Sequence, residues 1–99
     1  MDATAKRALA VIRDCVNAGR FLVLPHFRAR MALRGLVWPD VLAVLDAPDC
    51  MRPDGKDRYD RPKWLVAGTA ADNLPIEVVC VLDTDERGDV TVFITLYER

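Results

Sequence analysis

The chain has 99 residues, 52% of them hydrophobic and 29% charged, with a formal net charge of -1. That composition suits one domain burying roughly 60 to 70% of its unfolded surface, and it excludes disordered and fibrous classes. Near-neutral charge gives no overall pull toward nucleic acid, so any anion site must come from how charge is distributed, and no apolar run nears the ~20 residues of a membrane span.

Residues 4 to 17 place Ala5, Leu9, Ile12 and Val16 at three- and four-residue spacings, with Gly19 where a helix stop belongs. This predicts a first amphipathic helix. Its charges interrupt the apolar positions, unlike a signal core, so a cytoplasmic location is expected. "FLVLP" is short and could form a linking strand. Pro25 then starts a second helix through "HFRARMALR" that ends at Gly35. A third follows in "WPDVLAVLDAP", with Pro39 in its first turn and Pro48 closing it.

After Pro48 the pattern turns β-rich: "CMRP", "KWLVAGTA", "PIEVVCVLD" and "DVTVFITLY". Links as short as "ADN" and "RGD" join consecutive strands only in antiparallel fashion. The expected architecture is α+β, with about three N-terminal helices on one face of a four-stranded antiparallel sheet. One domain, 1–99, is expected, its other sheet face free to be a site. In the last strand, alternation directs Val90, Val92, Ile94 and Leu96 toward the helices and Tyr97 to the open face. Arg52 to Lys63, "RPDGKDRYDRPK", reads as a long mobile loop.

Between Arg20 and Arg34 lie four arginines and no acid, whereas Asp83 to Asp89 is mostly acidic. His26, the only histidine, lines up with Arg30 and Arg34 at i, i+4 and i+8 along one side of the second helix. Like charges so spaced repel by a few tenths of a kcal/mol per pair unless an anion or an acidic partner sits against them. Near a helix N-terminus and beside Arg30, the imidazole is best placed as a neutral proton acceptor. Two readings stay open. The row faces a phosphate, or it pairs with acids such as Asp46 or Asp49. Tyr97 can donate to a phosphate or stack on a base, or simply cover the sheet edge. Arg28 and the loop cations Lys56, Arg58, Arg61 and Lys63 are candidate RNA contacts, or else a solvated surface.

Cys15, Cys50 and Cys80 are odd in number and widely spaced, which suits neither a disulfide framework nor a metal site; reduced thiols are expected, with Cys80 in the core. There is no Gly-rich phosphate loop, HExxH or G-x-S-x-G, and no cofactor or metal is expected. Cleavage of RNA by its own 2′-hydroxyl needs only a base, cations on the developing phosphorane and a donor to the leaving oxygen. His26, Arg30 with Arg34, and Tyr97 or a loop lysine could fill those roles.

The order "H-F-x-A-R-M-x-x-R-G-L", "W-P-D-V-L-A-V-L-D-A-P-D", "Y-D-R-P-K-W-L-V" and a closing "V-T-V-F-I-T-L-Y" resembles the prokaryotic family catalogued as domain of unknown function 4258, from about Leu22 to Tyr97. The motif positions fall on His26, Arg30, Met31, Arg34, Gly35, Pro48, Asp49, Thr95 and Tyr97. That family is similar to toxins of toxin–antitoxin pairs of the RelE and BrnT kind, often encoded beside a zinc-finger antitoxin. The resemblance implies a RelE-like core over 21–99; the extra helix in 1–20 departs from the family's pattern and is expected to cover part of the sheet or support a homodimer. It also implies metal-free cleavage of messenger RNA, free or ribosome-bound, restrained by an antitoxin protein. The alternative is a non-enzymatic module binding an acidic partner through the arginine row and a sheet edge.

Overall fold

Two glycines stop the first two helices in the same way. In the computed structural model, which describes residues 1–99, α1 runs Ala3–Asn17 and α2 runs Pro25–Leu33. Gly19 (φ +70°) and Gly35 (φ +67°) take the left-handed conformation that glycine adopts at no steric cost. Beyond each, the next residue donates back into the last turn, Arg20 N–H to Cys15 at 2.8 Å and Leu36 N–H to Met31 at 2.9 Å. The "RGL" triplet is therefore a helix terminator that turns the chain toward α3, Trp38–Asp46. Asp40 fixes the start of α3: one carboxylate oxygen accepts from Val37 N–H at 2.8 Å, and the other accepts from Ala71 N–H at 3.3 Å.

Five strands follow the sheet order β1-β5-β4-β3-β2, with β1 Phe21–Val23, β2 Cys50–Lys56, β3 Pro62–Thr69, β4 Pro75–Asp85 and β5 Gly88–Glu98. The expected α+β class with three helices is found, and the expected four-stranded antiparallel sheet is corrected to a five-stranded mixed one. The added strand is "FLV", which pairs parallel with β5, Phe21 opposite Thr91. These residues could be read as a linking strand, but so distant a partner leaves no local pattern that would place them in the sheet. β2 likewise continues into the stretch expected to be a loop. Only the tight turn Asp57–Arg61 remains of it, where the Asp57 carboxylate accepts the N–H groups of Tyr59 and Arg61 at 3.0 and 2.9 Å.

All three helices bury their apolar sides on one face of the sheet, in a core that holds Ala5, Leu9 and Ile12 from α1, Phe27 from α2 and Val41, Val44 and Leu45 from α3. The helix expected to be an addition is thus part of the same core. Phe93 is its aromatic centre, edge-on to Phe27 at 5.6 Å and to Trp38 at 5.2 Å.

The facing of β5 departs from strict alternation. Val79 pairs with Thr95 but Cys80 pairs with Phe93, so Ile94 is an extra residue, a bulge. Phe93 and Leu96 both face the helices, while Val92 and Thr95 share the opposite side with Val79 and Val81; Leu96 faces as expected, and the expected inward facing of Val92 is corrected to outward, with Phe93 inward instead. Tyr97 remains on the open face, as alternation from Thr95 requires.

That open face is covered by its own side chains. Leu65, Ala67 and Val79 form a second buried cluster there. Three ion pairs from the same face stand over this strip: Arg52–Glu77 at 3.9 Å, Lys63–Asp54 at 3.8 Å and Arg61–Asp83 at 2.8 Å. Their Coulomb gain is small at an exposed surface, about 0 to 1 kcal/mol each. Their aliphatic stems do more by covering apolar area.

Candidate functional site on helix α2

Helix α2 lies where β1 gives out. Leu24 N–H donates to Phe93 at 3.1 Å, and beyond it Arg30 Nε donates to the carbonyl of Leu96 at 3.1 Å. A side chain thus replaces a missing strand at the edge of β5. At 100° per residue, with Phe27 facing the core and Met31 packed against it, His26 and Arg30 fall on one flank of the helix and Arg28 on the other.

The structure brings Arg30 and Tyr97 together. The Arg30 Cζ stands 5.6 Å from the centroid of the Tyr97 ring, a cation–π distance, and Tyr97 remains 47% exposed. The hydrogen bond to Leu96 uses only Nε, and no carboxylate lies within ion-pair distance of this guanidinium. His26 sits one turn earlier on the same flank, exposed and without a protein hydrogen-bond partner. A base, a cation and a phenol therefore share one side of α2, at the surface.

Arg34 is the member of the row that is already committed. It occupies the C-cap of α2, and its guanidinium pairs with Glu98 at 3.3 Å. The acids suggested by sequence proximity do not reach it; Asp49 pairs instead with Arg99 at 3.3 Å. Glu98, next to Tyr97, was not singled out from the sequence. Thr95, one of the motif positions, has its hydroxyl buried without a hydrogen-bond partner, on the same face as Tyr97.

The other cations lie elsewhere. Lys56, Arg58, Arg61 and Lys63 belong to the β2–β3 hairpin, at the sheet edge opposite α2, where β3 lies roughly 10 Å and β2 roughly 14 Å from β5 at the usual strand spacing. Lys56 pairs with Asp60 at 3.3 Å, Lys63 with Asp54, and Arg61 with Asp57 and Asp83 at 2.7 and 2.8 Å. Burial alone would raise Asp57, but the Arg61 guanidinium and two backbone N–H groups outweigh it and hold its carboxyl below the usual range. Asp83 is lowered by its hydrogen bond from Arg61 and by Thr84 N–H. Arg58 carries no ion pair and lies over the Tyr59 ring at 5.0 Å.

Cysteine chemistry is divided by burial. Cys80 is fully buried and desolvation pushes its thiol up to about 12, whereas Cys50 is exposed. All three cysteines are free. No group of three or more His, Cys, Asp or Glu side chains is gathered in a way that could hold a metal ion. No helix is long and apolar enough to cross a membrane.

Comparison with protein-family models matches residues 23–98 to a domain of unknown function, DUF4258. The match begins after α1, inside β1, and takes in the whole of the α2 site. A search of curated proteins finds no match.

Proposed function

The chain belongs to the DUF4258 family, and on that premise we propose that it is a RelE-like toxin, a metal-independent endoribonuclease restrained by a partner antitoxin, of the zinc-finger type in our reading. The observation that carries the proposal is the flank of α2, where an Arg30 guanidinium free of any carboxylate lies over the exposed Tyr97 ring, with His26 one turn away.

In this mechanism His26 accepts the proton of an RNA 2′-hydroxyl as that oxygen bonds to the adjacent phosphorus. Arg30 holds the negative charge that develops on the non-bridging oxygens, with Arg34 extending the positive row. The phosphorus–O5′ bond breaks, and the leaving oxygen takes a proton from the Tyr97 phenol or from water. The products are a 2′,3′-cyclic phosphate and a 5′-hydroxyl. The phenolate recovers its proton from solvent, to which His26 releases its own.

The test is incubation of the purified chain with RNA in the presence of a chelator, followed by end-group analysis, alongside His26→Ala. Cyclic phosphate ends from the wild type and intact RNA with the variant support the enzyme. Intact RNA with both, and normal growth of cells expressing the chain alone, overturn it.

A second reading, a non-enzymatic module that binds an acidic partner, is favoured by one contact. Arg34 already holds a carboxylate, that of Glu98. An acidic peptide that binds the wild type and loses affinity in Arg30→Ala, with RNA left intact, selects this reading.

A further inference from the structure

The flank of α2 opposite His26 carries a second arginine beside exposed aromatic surface. Arg28 is exposed and has no carboxylate within ion-pair distance. It borders an open concavity of about 190 Å³ whose other walls are Phe21, Val23, Met31 and Trp38. Phe21 and Trp38 stack at 5.1 Å with their planes 3° apart, and both rings are only half-buried. The hollow is therefore lined by a stacked aromatic pair and two aliphatic side chains, and the group at its rim is a cation.

We propose that this hollow receives a base of single-stranded RNA, with the adjoining phosphate on Arg28, so that the strand crosses α2 and meets an arginine and an aromatic side chain on each flank. The proposal rests on the ribonuclease reading and names the form of its substrate. Three observations support it. The pairing of partly exposed aromatic side chains with a cation is the chemistry that takes an unstacked base and its phosphate. The same combination recurs across the helix, as Arg30 with Tyr97. The hairpin cations Lys56, Arg61 and Lys63 are held by carboxylates, whereas Arg28 and Arg30 have none within ion-pair distance and flank the helix that carries His26. A helix is about 10 to 12 Å across, a span that a short single strand can bridge. A duplex keeps its bases stacked and cannot fill the hollow.

Trp38 itself reports occupancy, because the only other tryptophan, Trp64, is 7% exposed. The experiment titrates the full chain with an RNA tetranucleotide carrying a 2′-deoxy block at each cleavable position, following tryptophan fluorescence. It is repeated with a duplex RNA and with a tetrapeptide of glutamates. Arg28→Gln and Arg28→Lys are compared, with circular dichroism to confirm folding. Saturable quenching by the tetranucleotide is expected. Arg28→Gln should weaken it about tenfold and Arg28→Lys should recover part of the loss, with neither duplex nor glutamate peptide competing. Equal competition by duplex, quenching by the peptide alone, or a tetranucleotide affinity unmoved by Arg28→Gln overturns the inference. If RNA is cleaved while Trp38 stays silent, this inference fails and the ribonuclease reading stands. If RNA is neither bound nor cleaved, both fail.

Discussion

Arg30 hydrogen-bonds the carbonyl of Leu96 at 3.1 Å and in doing so joins a helix to the bare edge of a strand 66 residues further along the chain. The same bond fixes the guanidinium beside Tyr97, so one contact serves both stability and the site.

Arg30→Ala is therefore expected to destabilise the fold by about 1 kcal/mol, the typical net worth of one hydrogen bond. It should also lower RNA cleavage by about 10²-fold or more, through loss of the positioned cation. Arg30→Lys keeps the charge but cannot both hold Leu96 and present a planar fork to phosphate, so it should recover stability better than activity. Urea unfolding and single-turnover cleavage measure the two effects separately.

Gly35 and Gly68 are sensitive to an added methyl group for different reasons. A Cβ at Gly35 meets nothing within 4 Å, so Gly35→Ala costs only the left-handed backbone at φ +67°, about 1 kcal/mol. A Cβ at Gly68 meets Val44 Cγ1 at 3.1 Å where α3 crosses β3, and Gly68→Ala should cost about 1 to 3 kcal/mol by pushing the helix off the sheet. Urea midpoints rank the two.

Acid should loosen the hairpin end of the sheet first. Asp57, Asp83 and Asp85 all lie below their ordinary value of 3.8 in the fold, so each contributes stability above that pH and loses it as pH falls through its folded value. Arg61→Ala should remove most of this dependence for Asp57 and Asp83 while leaving that of Asp85, whose first partner is Arg20. Unfolding measured from pH 6 down to about pH 2 should give a shallower slope for the variant.

Alkylation should count the cysteines by burial. With iodoacetamide at pH 8, the native chain is expected to gain one label, at Cys50, because Cys15 and Cys80 are buried and the Cys80 thiol is pushed to about 12. Three labels appear after denaturation. Mass spectrometry of the intact chain distinguishes them.

Local signals carried the parts of this fold that local chemistry determines. The three helices and the glycines that end two of them could be read from spacing and from residue type. β1 could be read only as a possible linking strand; its place in the sheet could not, because its hydrogen bonds depend on a partner strand at the other end of the chain. The start of β2 could be read from "CMRP", but its continuation was hidden by "DGK", whose residues favour turns yet here ride on the edge of a sheet. At the site, helical spacing placed His26 beside Arg30, but the partner of Arg34 turned out to be Glu98, brought near by the fold and distant in sequence. The aromatic hollow beside Arg28 was equally invisible, since Phe21 and Trp38 meet only once β1 and α3 are packed.

The extra residue at Ile94 also says where this gene can change length. Pairing resumes in step on both sides of it, so losing that codon would flatten the strand while leaving Leu96 inward and Tyr97 outward. In β4, which has no spare residue, the loss of one codon would exchange the two faces of every residue downstream. Insertions and deletions in relatives of this chain should accordingly collect at this one point of the sheet.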